Sequence, residues 1–342
     1  MISFYRPHRQ AQGKQNYKGF WSGMRNVGIF MFVGFAMVSI LNISDTMDKK
    51  DVPQTTFQPA VQVNASNVGG DLPVNEGPTP QPKLEPEKPK APAAPAKSAL
   101  SVEFSSEGDP SNPSGQGKVL FSRNSDEQLP IASLTKLMTG LVALENYPLE
   151  QEATISEEAM KQEGVQGVLK AGEILTIENL LYITLMESSN RAAYALAEVI
   201  GNDNFVALMN EKAGELGLEN TQFADATGLS EKSHSNAEDL VKLSKHLFDS
   251  HPLFRQIISQ KDYDLYLPDG TLHHKLENTN LLLGRVRNIV GGKTGYTVVA
   301  KGCLMAIQED AQIGTYTIHV ILGSEDRFGE MVNILEEIKN KP

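Results

Sequence analysis

Apolar residues recur every three to four positions through the middle of the chain and at every second position towards its end. The first spacing predicts helices, one beginning near Ser133 and others at 156–162, 178–186, 191–200, 205–216, 237–249 and 331–338. The second spacing predicts strands at 102–104, 118–121, 264–267, 271–276, 288–293, 298–307 and 316–322. Strands, then helices, then strands and a closing helix predict an α+β domain in which helices flank an antiparallel sheet.

The first 44 residues differ from the rest because they contain no aspartate or glutamate. Five lysine and arginine residues precede an apolar run from Val27 to Ile43, which is at the short end of the length that crosses a bilayer. Basic residues before such a run favour a cytoplasmic N-terminus and an exported remainder. We therefore expect a cytoplasmic tail at 1–26 and a transmembrane signal-anchor at 27–44. A cleaved signal peptide is the alternative, although 42–45 show no small-residue cleavage site.

Residues 45–98 are rich in proline, since ten of the chain's eighteen prolines lie between Pro53 and Pro95. A segment of this composition has little apolar surface to bury, so we expect a disordered linker, partly in the polyproline II conformation. Such a linker would let a folded domain range away from the membrane. We assign that folded domain to residues 99–342.

Composition excludes several classes of function. The net charge of −11 argues against nucleic acid as a partner. The single cysteine, Cys303, excludes an internal disulfide and lies in an apolar stretch typical of a buried strand. The seven histidines show no metal-ligand spacing, so we expect no metal site and no cofactor. We expect His273 and His274, in a polar hairpin-like stretch, to be solvated.

Ser133 and Lys136 lie three residues apart within an apolar stretch, so they share one face of the first predicted helix. Burial disfavours the charged form of a lysine and lowers its pKa. A neutral amine beside a hydroxyl can accept its proton and so make the serine nucleophilic. The simpler interpretation is a helix whose lysine extends its stem to reach water. Two later stretches favour the nucleophile.

Both of these later stretches are polar and interrupt apolar ones. Glu187, Ser188, Ser189 and Asn190 separate two predicted helices and form either a surface turn or a loop aimed into a cleft. The stretch 291–297, Gly-Gly-Lys-Thr-Gly-Tyr-Thr, lies at the edge of a predicted strand. Its glycines leave the backbone uncovered, which often marks close approach by a ligand; a bulged strand with an exposed lysine is the alternative. The spacing of a phosphate-binding loop is absent.

The three motifs Ser-x-x-Lys, Ser-x-Asn and Lys-Thr-Gly follow one another in this order, and the first and last each occur once. This set resembles that of the serine penicillin-recognising enzymes. More closely, the domain is similar to the D-alanyl-D-alanine carboxypeptidases among the low-molecular-mass penicillin-binding proteins. The resemblance runs from about Ser101 to Leu335 and includes the stretches 129–138, 169–173, 223–229 and 278–282.

The resemblance implies a reaction at the D-alanyl-D-alanine end of a peptidoglycan stem peptide. Ser133 would attack the carbonyl between the two D-alanines, and Lys136 would be its general base. Ser188 would relay a proton to the leaving amine, while Asn190 would hydrogen-bond the substrate amide. Water would then release the acyl-enzyme.

The resemblance also implies how the end of the substrate is held. Lys293 would supply positive charge, and Thr294 would bind the terminal carboxylate. Gly295 would let the peptide lie along the strand as an added β-strand. The backbone N–H groups of the nucleophilic serine and of Tyr296 would form the oxyanion hole. Arg327, after the last strand, would help to hold the carboxylate.

Three positions depart from the family pattern. Ser189 is the middle residue of Ser-x-Asn, and Arg191 follows where many relatives carry an acidic residue. Tyr296 stands where a histidine is common. These differences bear on substrate preference more than on the reaction. The chain ends soon after Leu335, so we expect the N-terminal anchor to replace the C-terminal β-domain and anchor helix of many relatives.

We therefore expect a membrane-anchored serine D-alanyl-D-alanine carboxypeptidase, single-pass with its N-terminus inside and its catalytic domain outside the cytoplasm. Its expected partners are the stem peptide, the membrane and acylating β-lactams. A D,D-endopeptidase that cuts cross-links with the same residues is the nearest alternative. A serine β-lactamase is less favoured because no glutamate is clearly placed to drive fast deacylation. A non-catalytic wall-binding module is disfavoured because no motif position is lost.

Overall fold

The computed structural model describes residues 94–105, 117–164, 166–310 and 314–341. The predicted tail at 1–26, the predicted signal-anchor at 27–44 and most of the predicted linker lie outside these residues. Of the helices that fall within the described ranges, none is long and apolar enough to cross a membrane.

The order of elements is the one expected from the sequence: strands, a helical region, more strands and a closing helix. The strands are β1 (Ser98–Ser105), β2 (Lys118–Arg123), β3 (Leu129–Pro130), β4 (Glu152–Thr154), β5 (Ile174–Thr176), β6 (His234–Ser235), β7 (Asp262–Tyr266), β8 (Leu272–Glu277), β9 (Ile289–Thr297), β10 (Lys301–Asp310) and β11 (Thr315–Ser324). The helices are α1 (Thr135–Asn146), α2 (Glu157–Met160), α3 (Ile177–Met186), α4 (Asn190–Glu198), α5 (Asn202–Glu215), α6 (Ala237–Ser250), α7 (Pro252–Ser259) and α8 (Arg327–Asn340).

Within the described residues, the main sheet has five antiparallel strands in the order β2-β1-β11-β10-β9. β9 pairs with β10 on one side only, so it forms an edge of the sheet in this part of the chain. Three short antiparallel pairs lie elsewhere: β3 with β6, β4 with β5, and β7 with β8. The predicted α+β class with an antiparallel sheet and flanking helices is confirmed.

Helices cover both faces of the main sheet, and the alternation of side chains along β10 shows this. Cys303, Met305 and Ile307 belong to the larger core, which includes most of the helical region. Leu304 and Ala306 belong to a smaller core beneath α8. Because side chains of a strand alternate between faces, a strand covered on both sides has a nearly continuous run of buried residues. Cys303 is buried, as predicted.

Helix α1 lies inside the helical region and is buried on every side over its first nine residues, from Thr135 to Ala143. A helix that is apolar all round belongs in the interior of a domain. The only charged side chain in that stretch, Lys136, is therefore carried into the core together with its apolar neighbours. The same helix places Ser133, one residue before its N-cap, at the inner end of the groove described below.

The strands around the Lys-Thr-Gly motif differ from the prediction. β9 continues through Lys293 to Thr297, and the strand expected to begin at Val298 begins at Lys301. Residues 298–300 form the connecting turn, which is closed by a 3.0 Å hydrogen bond from the Ala300 N–H to Thr297 Oγ1. Val298 is 75% exposed in this turn, so its apolar character does not indicate a strand.

Three other elements, α7, α2 and β1, also differ from the prediction. Helix α7 was not predicted; it begins directly after α6 with Pro252 as its first residue, where the missing N–H of proline leaves no intrahelical bond unmade. Helix α2 is shorter than the predicted 156–162 and has Ser156 as its N-cap. In addition, β1 begins at Ser98, the last residue assigned to the linker, and Ser98 is fully buried.

Replacement of Thr176 should destabilise the fold locally. Thr176 Oγ1 accepts a 3.1 Å hydrogen bond from the Asn179 N–H, and the Asn179 side chain accepts one in return from the Thr176 N–H. We expect Thr176→Ala to lower the free energy of unfolding by about 1 kcal/mol, measured by denaturant titration. Thr176→Ser keeps the cap and should remain close to the unmodified chain. Equal stability of the alanine and serine variants would contradict this role.

Candidate active site

Ser133 lies in a single turn of 3-10 helix, Ala132–Leu134, between β3 and α1. Ala132 has a positive φ of 48°, a conformation that costs energy for a residue with a side chain. Gly228 packs directly against this turn: a Cβ on it would lie 2.0 Å from the carbonyl oxygen of Ala132. Gly228 also has a φ of 81°, so only glycine satisfies both requirements. The serine is thus held by a tightly packed backbone.

The side-chain nitrogen of Lys136, Nζ, contacts three oxygen atoms. Nζ lies 3.0 Å from Ser133 Oγ, 2.6 Å from Asn190 Oδ1 and 2.6 Å from the Thr227 carbonyl oxygen. The orientation of the Asn190 amide is fixed because its Nδ2 donates a 2.7 Å bond to the Glu163 carbonyl. The predicted juxtaposition of Ser133 and Lys136 is therefore present.

Burial determines the protonation of Lys136. Its side chain is fully buried, and burial lowers its pKa to about 7, although Asp225 acts in the opposite direction. A neutral amine has two hydrogens and one lone pair. The Asn190 and Thr227 oxygens can only accept, so they take the two hydrogens. The lone pair is then left for the hydroxyl of Ser133, which is the arrangement that a general base requires.

Asp225 organises the loop that presents the Thr227 carbonyl to Lys136. Its carboxylate accepts hydrogen bonds from Thr227 Oγ1 at 2.6 Å and Ser233 Oγ at 3.0 Å. It also accepts from three backbone N–H groups, those of residues 228, 229 and 230. Sequence reasoning noted the stretch 223–229 but assigned no role to Asp225 or Thr227. The available signal was the stretch Asp-Ala-Thr-Gly at 225–228, in which an aspartate two residues before Thr-Gly favours side chain to backbone bonding in a turn.

The residues of the Ser-Ser-Asn stretch have separate partners. Ser188 has a positive φ of 63° between α3 and α4, and its Oγ accepts a 2.7 Å hydrogen bond from Lys293 Nζ. Ser189 is the N-cap of α4 and donates to the Gln166 carbonyl at 2.8 Å. Asn190 reaches Lys136 from the other side. Ser189 thus fixes the loop, while its two neighbours face the two lysines.

Lys293 is the second fully buried lysine of the groove. Its Nζ donates to Ser188 Oγ and, at 2.9 Å, to the Thr294 carbonyl. Burial, helped by the nearby charges of Lys136 and Arg327, lowers the pKa of Lys293 well below its usual range. Burial therefore disfavours the positive charge expected of Lys293, and neither of its hydrogen bonds is with a carboxylate. A bound anion would favour the protonated form.

The strand that carries Lys-Thr-Gly, β9, lies against the backbone of the turn that carries Ser133. A Cβ on Gly295 would lie 3.0 Å from the backbone nitrogen of Ser133, so any larger residue would push the two backbones apart by a few tenths of an ångström. Thr294 Oγ1 donates a 2.7 Å hydrogen bond to Thr279 Oγ1, a residue to which sequence reasoning gave no role. Tyr296 follows on the same strand and is 62% exposed.

Arg327 is the first residue of α8 and reaches the same strand. Its Nη1 donates a 3.0 Å hydrogen bond to the Gly295 carbonyl. Its Nε is buried and has no hydrogen-bond partner among the described residues. These contacts link the predicted site residues from Ser133 on the helical side to Arg327 behind the edge strand, and Tyr296 follows Gly295 on that strand.

His273 and His274 correct a sequence-based expectation. They were expected to be solvated, but His273 Nε2 lies 2.9 Å from Glu173 Oε1, and its side chain is 6% exposed. His274 Nε2 lies 3.2 Å from Glu187 Oε2, on the residue that precedes Ser188. The error arose because the acidic partners come from loops far away in sequence, which cover the hairpin.

Comparison with known proteins agrees with this geometry. A family model described as D-alanyl-D-alanine carboxypeptidase, peptidase S11, matches residues 88–326. The D-alanyl-D-alanine carboxypeptidase DacF of Bacillus subtilis is 38% identical over 198 residues, 56% of this chain and 50% of that protein. The D-alanyl-D-alanine endopeptidase of Pseudomonas aeruginosa is 39% identical over 196 residues, 55% of this chain and 62% of that protein. The chain thus spans about half to three fifths of the length of these curated relatives.

Solved structures show the same fold. A mutant of the Streptomyces K15 DD-transpeptidase matches with a TM-score of 0.64 and 26% identity, over 73% of this chain and 100% of that chain. Penicillin-binding protein D2 of Listeria monocytogenes, in its ampicillin-bound form, matches with a TM-score of 0.58 and 27% identity, over 72% and 97%. Since the family model covers well over half of the sequence, the chain belongs to the D-alanyl-D-alanine carboxypeptidase family, peptidase S11.

Proposed function

We propose that this protein is a serine D-alanyl-D-alanine carboxypeptidase that removes the terminal D-alanine from peptidoglycan stem peptides through an acyl-enzyme. The observation that carries the proposal is the hydrogen bonding of Lys136. Nζ lies within 3.0 Å of Ser133 Oγ, Asn190 Oδ1 and the Thr227 carbonyl oxygen. In its neutral form the amine would give its two hydrogens to the Asn190 and Thr227 oxygens and direct its lone pair to Ser133 Oγ. Membership of the family supports the same reaction.

Acylation begins when Ser133 Oγ attacks the carbonyl carbon between the two D-alanines and passes its proton to Lys136 Nζ. The carbonyl oxygen becomes an oxyanion, held by the backbone N–H groups of Ser133 and Tyr296. One such donor contributes roughly 10²–10³ to the rate. The close packing of β9 on the Ser133 turn supports this assignment, since Gly295 brings the two backbones together.

The tetrahedral intermediate then collapses, and the C–N bond to the terminal D-alanine breaks. The leaving amine needs a proton, which Lys136 now holds. Ser188 would relay it by accepting the Lys136 proton and giving its own hydroxyl proton to the amine; its Oγ accepts a hydrogen bond from Lys293 Nζ, which leaves that hydroxyl proton available. Free D-alanine departs, and water attacks the Ser133 ester with Lys136 again accepting a proton. The amine that was the base of acylation is thus restored.

The terminal carboxylate of the substrate supplies the negative charge that the groove lacks. Thr294 and Lys293 lie on the edge strand, and Arg327 lies behind it. A carboxylate here would favour the protonated form of Lys293 and pair with a guanidinium whose Nε has no partner among the described residues. Charge-assisted hydrogen bonds of this kind are stronger than neutral ones. They would select peptides with a free C-terminus.

We further propose that the enzyme is anchored by the segment at 27–44 and acts outside the cytoplasm, with the stretch at 45–98 as a tether. The basic, acid-free N-terminal region and the apolar run support this topology. Substrates outside the cytoplasm, a stem peptide or a β-lactam, would then reach the groove. Protease protection of the catalytic domain in intact and permeabilised spheroplasts tests it.

Replacement of the nucleophile is the direct test of the reaction. We expect Ser133→Ala to abolish labelling by a fluorescent penicillin and to reduce D-alanine release from a stem pentapeptide by at least about a thousandfold. Ser122→Ala, a surface serine, is the matched control and should keep both activities. Thermal unfolding checks that each variant is folded. Full activity of folded Ser133→Ala would refute the proposal, and rapid turnover of penicillin by the unmodified chain would favour a β-lactamase.

The pH dependence of acylation reports on the amine. Because burial lowers the pKa of Lys136 to about 7, the base is neutral above that pH and protonated below it. The penicillin acylation rate should therefore rise about tenfold per pH unit below pH 7 and level off above it. Stopped-flow measurements with labelled penicillin give this profile. A rate that is constant across about pH 5 to 9 would exclude a titrating general base in this range.

An endopeptidase is the second candidate, supported by the similarity to the Pseudomonas aeruginosa protein of that name. The cationic end of the groove favours a free C-terminal carboxylate. We therefore expect faster release of D-alanine from uncross-linked pentapeptide muropeptides than cleavage of cross-linked dimers. Chromatography and mass spectrometry of the two digests identify the products. Faster cleavage of the dimers would assign the endopeptidase activity instead.

A further inference from the structure

A second cluster of ionisable side chains lies in the helical region, away from the groove. Glu145 is near the C-terminal end of α1, the helix that carries Lys136 at its other end. His246 belongs to α6, and His251 joins α6 to α7. One ligand atom from each of these three side chains lies within 4.8 Å of the other two. At 1.5 Å per residue the cluster is about 14 Å along α1 from Lys136.

The distances in this cluster fit a metal ion better than hydrogen bonds. His246 Nε2 lies 3.5 Å and His251 Nε2 lies 3.6 Å from the same oxygen, Glu145 Oε1. These separations are at or beyond the limit for hydrogen bonds. A tetrahedral zinc ion with ligands at 2.0–2.1 Å would hold its ligand atoms about 3.4 Å apart. Small shifts would thus bring all three atoms into a first coordination sphere.

The Nε2 atoms of the two histidines have no other partner among the described residues. The Nε2 atoms of His246 and His251 are buried and have no hydrogen-bond partner there. Buried polar atoms without a partner are uncommon and need a physical explanation, of which a bound ion is one. The two rings meet edge to face, with centroids 5.8 Å apart, and both Nε2 atoms approach the same carboxylate oxygen, Glu145 Oε1.

The carboxylate is already oriented for a ligand role. Glu145 Oε2 pairs with Lys212 Nζ at 2.7 Å, which leaves Oε1 facing the two histidines. Lys212 also pairs with Glu215 at 2.6 Å, so its charge is shared between two carboxylates. Hydrogen bonds of this outer kind hold metal-binding carboxylates in place. The side chains of Glu145 and His246 remain about one quarter exposed, so an ion can enter from solvent.

We propose that Glu145, His246 and His251 form a binding site for a divalent transition-metal ion, with Zn²⁺ as the best fit and water as the fourth ligand. Two imidazoles and one carboxylate suit Zn²⁺ and do not suit Mg²⁺ or Ca²⁺, which prefer oxygen ligands. The ion joins the end of α1 to α6 and α7. The three ligands come together only in the folded chain, so binding of the ion stabilises the folded state of the helical region.

The test uses the full, untagged chain after removal of metal with a chelator. Isothermal titration with ZnCl₂ should show one site per chain, and MgCl₂ should show none. His246→Gln and His251→Gln should each weaken Zn²⁺ binding at least about tenfold. His234→Gln is the control, because His234 bonds to the Lys232 carbonyl outside the cluster. At Zn²⁺ about a hundredfold above Kd, the Tm should rise by roughly 5 °C or more.

The unmodified chain provides a second readout that does not depend on how well the variants fold. X-ray absorption at the zinc edge should show four nitrogen and oxygen ligands with the scattering pattern of imidazole. Absence of imidazole scattering overturns the proposal. So does the absence of stoichiometric Zn²⁺ binding to the unmodified chain, or unchanged affinity in folded His246→Gln and His251→Gln.

Discussion

The burial of the Lys136 amine is the constraint on which the active-site groove depends. An amine removed from water is costly in its charged form, and here burial brings the pKa to about 7. The apolar surroundings of α1 supply this burial, and they must be tightly packed to exclude water. The oxygens of Asn190 and Thr227 have a different role, which is to direct the two hydrogens of the neutral Lys136 amine away from Ser133. Stability of the core and reactivity of the serine thus follow from one helix.

The two buried lysines of the active site differ in the charged groups around them. The Lys136 amine has acceptors for its hydrogens, and Asp225 acts against the lowering of its pKa by burial. Burial also lowers the pKa of Lys293, and there Lys136 and Arg327 act in the same direction as burial. Neither lysine nitrogen hydrogen-bonds a carboxylate among the described residues, and burial favours the neutral form of each. A bound carboxylate would favour the protonated forms. The charge of the site would therefore depend on whether it holds an anionic ligand.

The sequence was sufficient where the chemistry is local. Spacing of three on an apolar helix placed Ser133 beside Lys136, and the glycines around Lys293 predicted an uncovered strand, against which the structure packs the Ser133 turn. It was insufficient where a partner comes from elsewhere in the chain. Asp225 acts through a loop carbonyl, and the burial of His273 depends on Glu173. The pattern around Asp225 indicates bonding within its own turn but not that the turn meets Lys136, because local patterns and periodicity do not show which distant segment covers a buried face. The membrane anchor and the tether stay predictions.

The two curated relatives described above carry different activities in their names at nearly equal identity, 38% for the carboxypeptidase and 39% for the endopeptidase. The shared nucleophile and base therefore do not select between the reactions. The reactions differ in what is attached to the leaving amine, so residues that contact this group would distinguish them. Beyond Gly295, Tyr296 lies close enough to Arg327 to act against the lowering of its pKa by burial. Tyr296, Val298 and Val299 are exposed there, so their side chains are accessible to a group attached to the leaving amine.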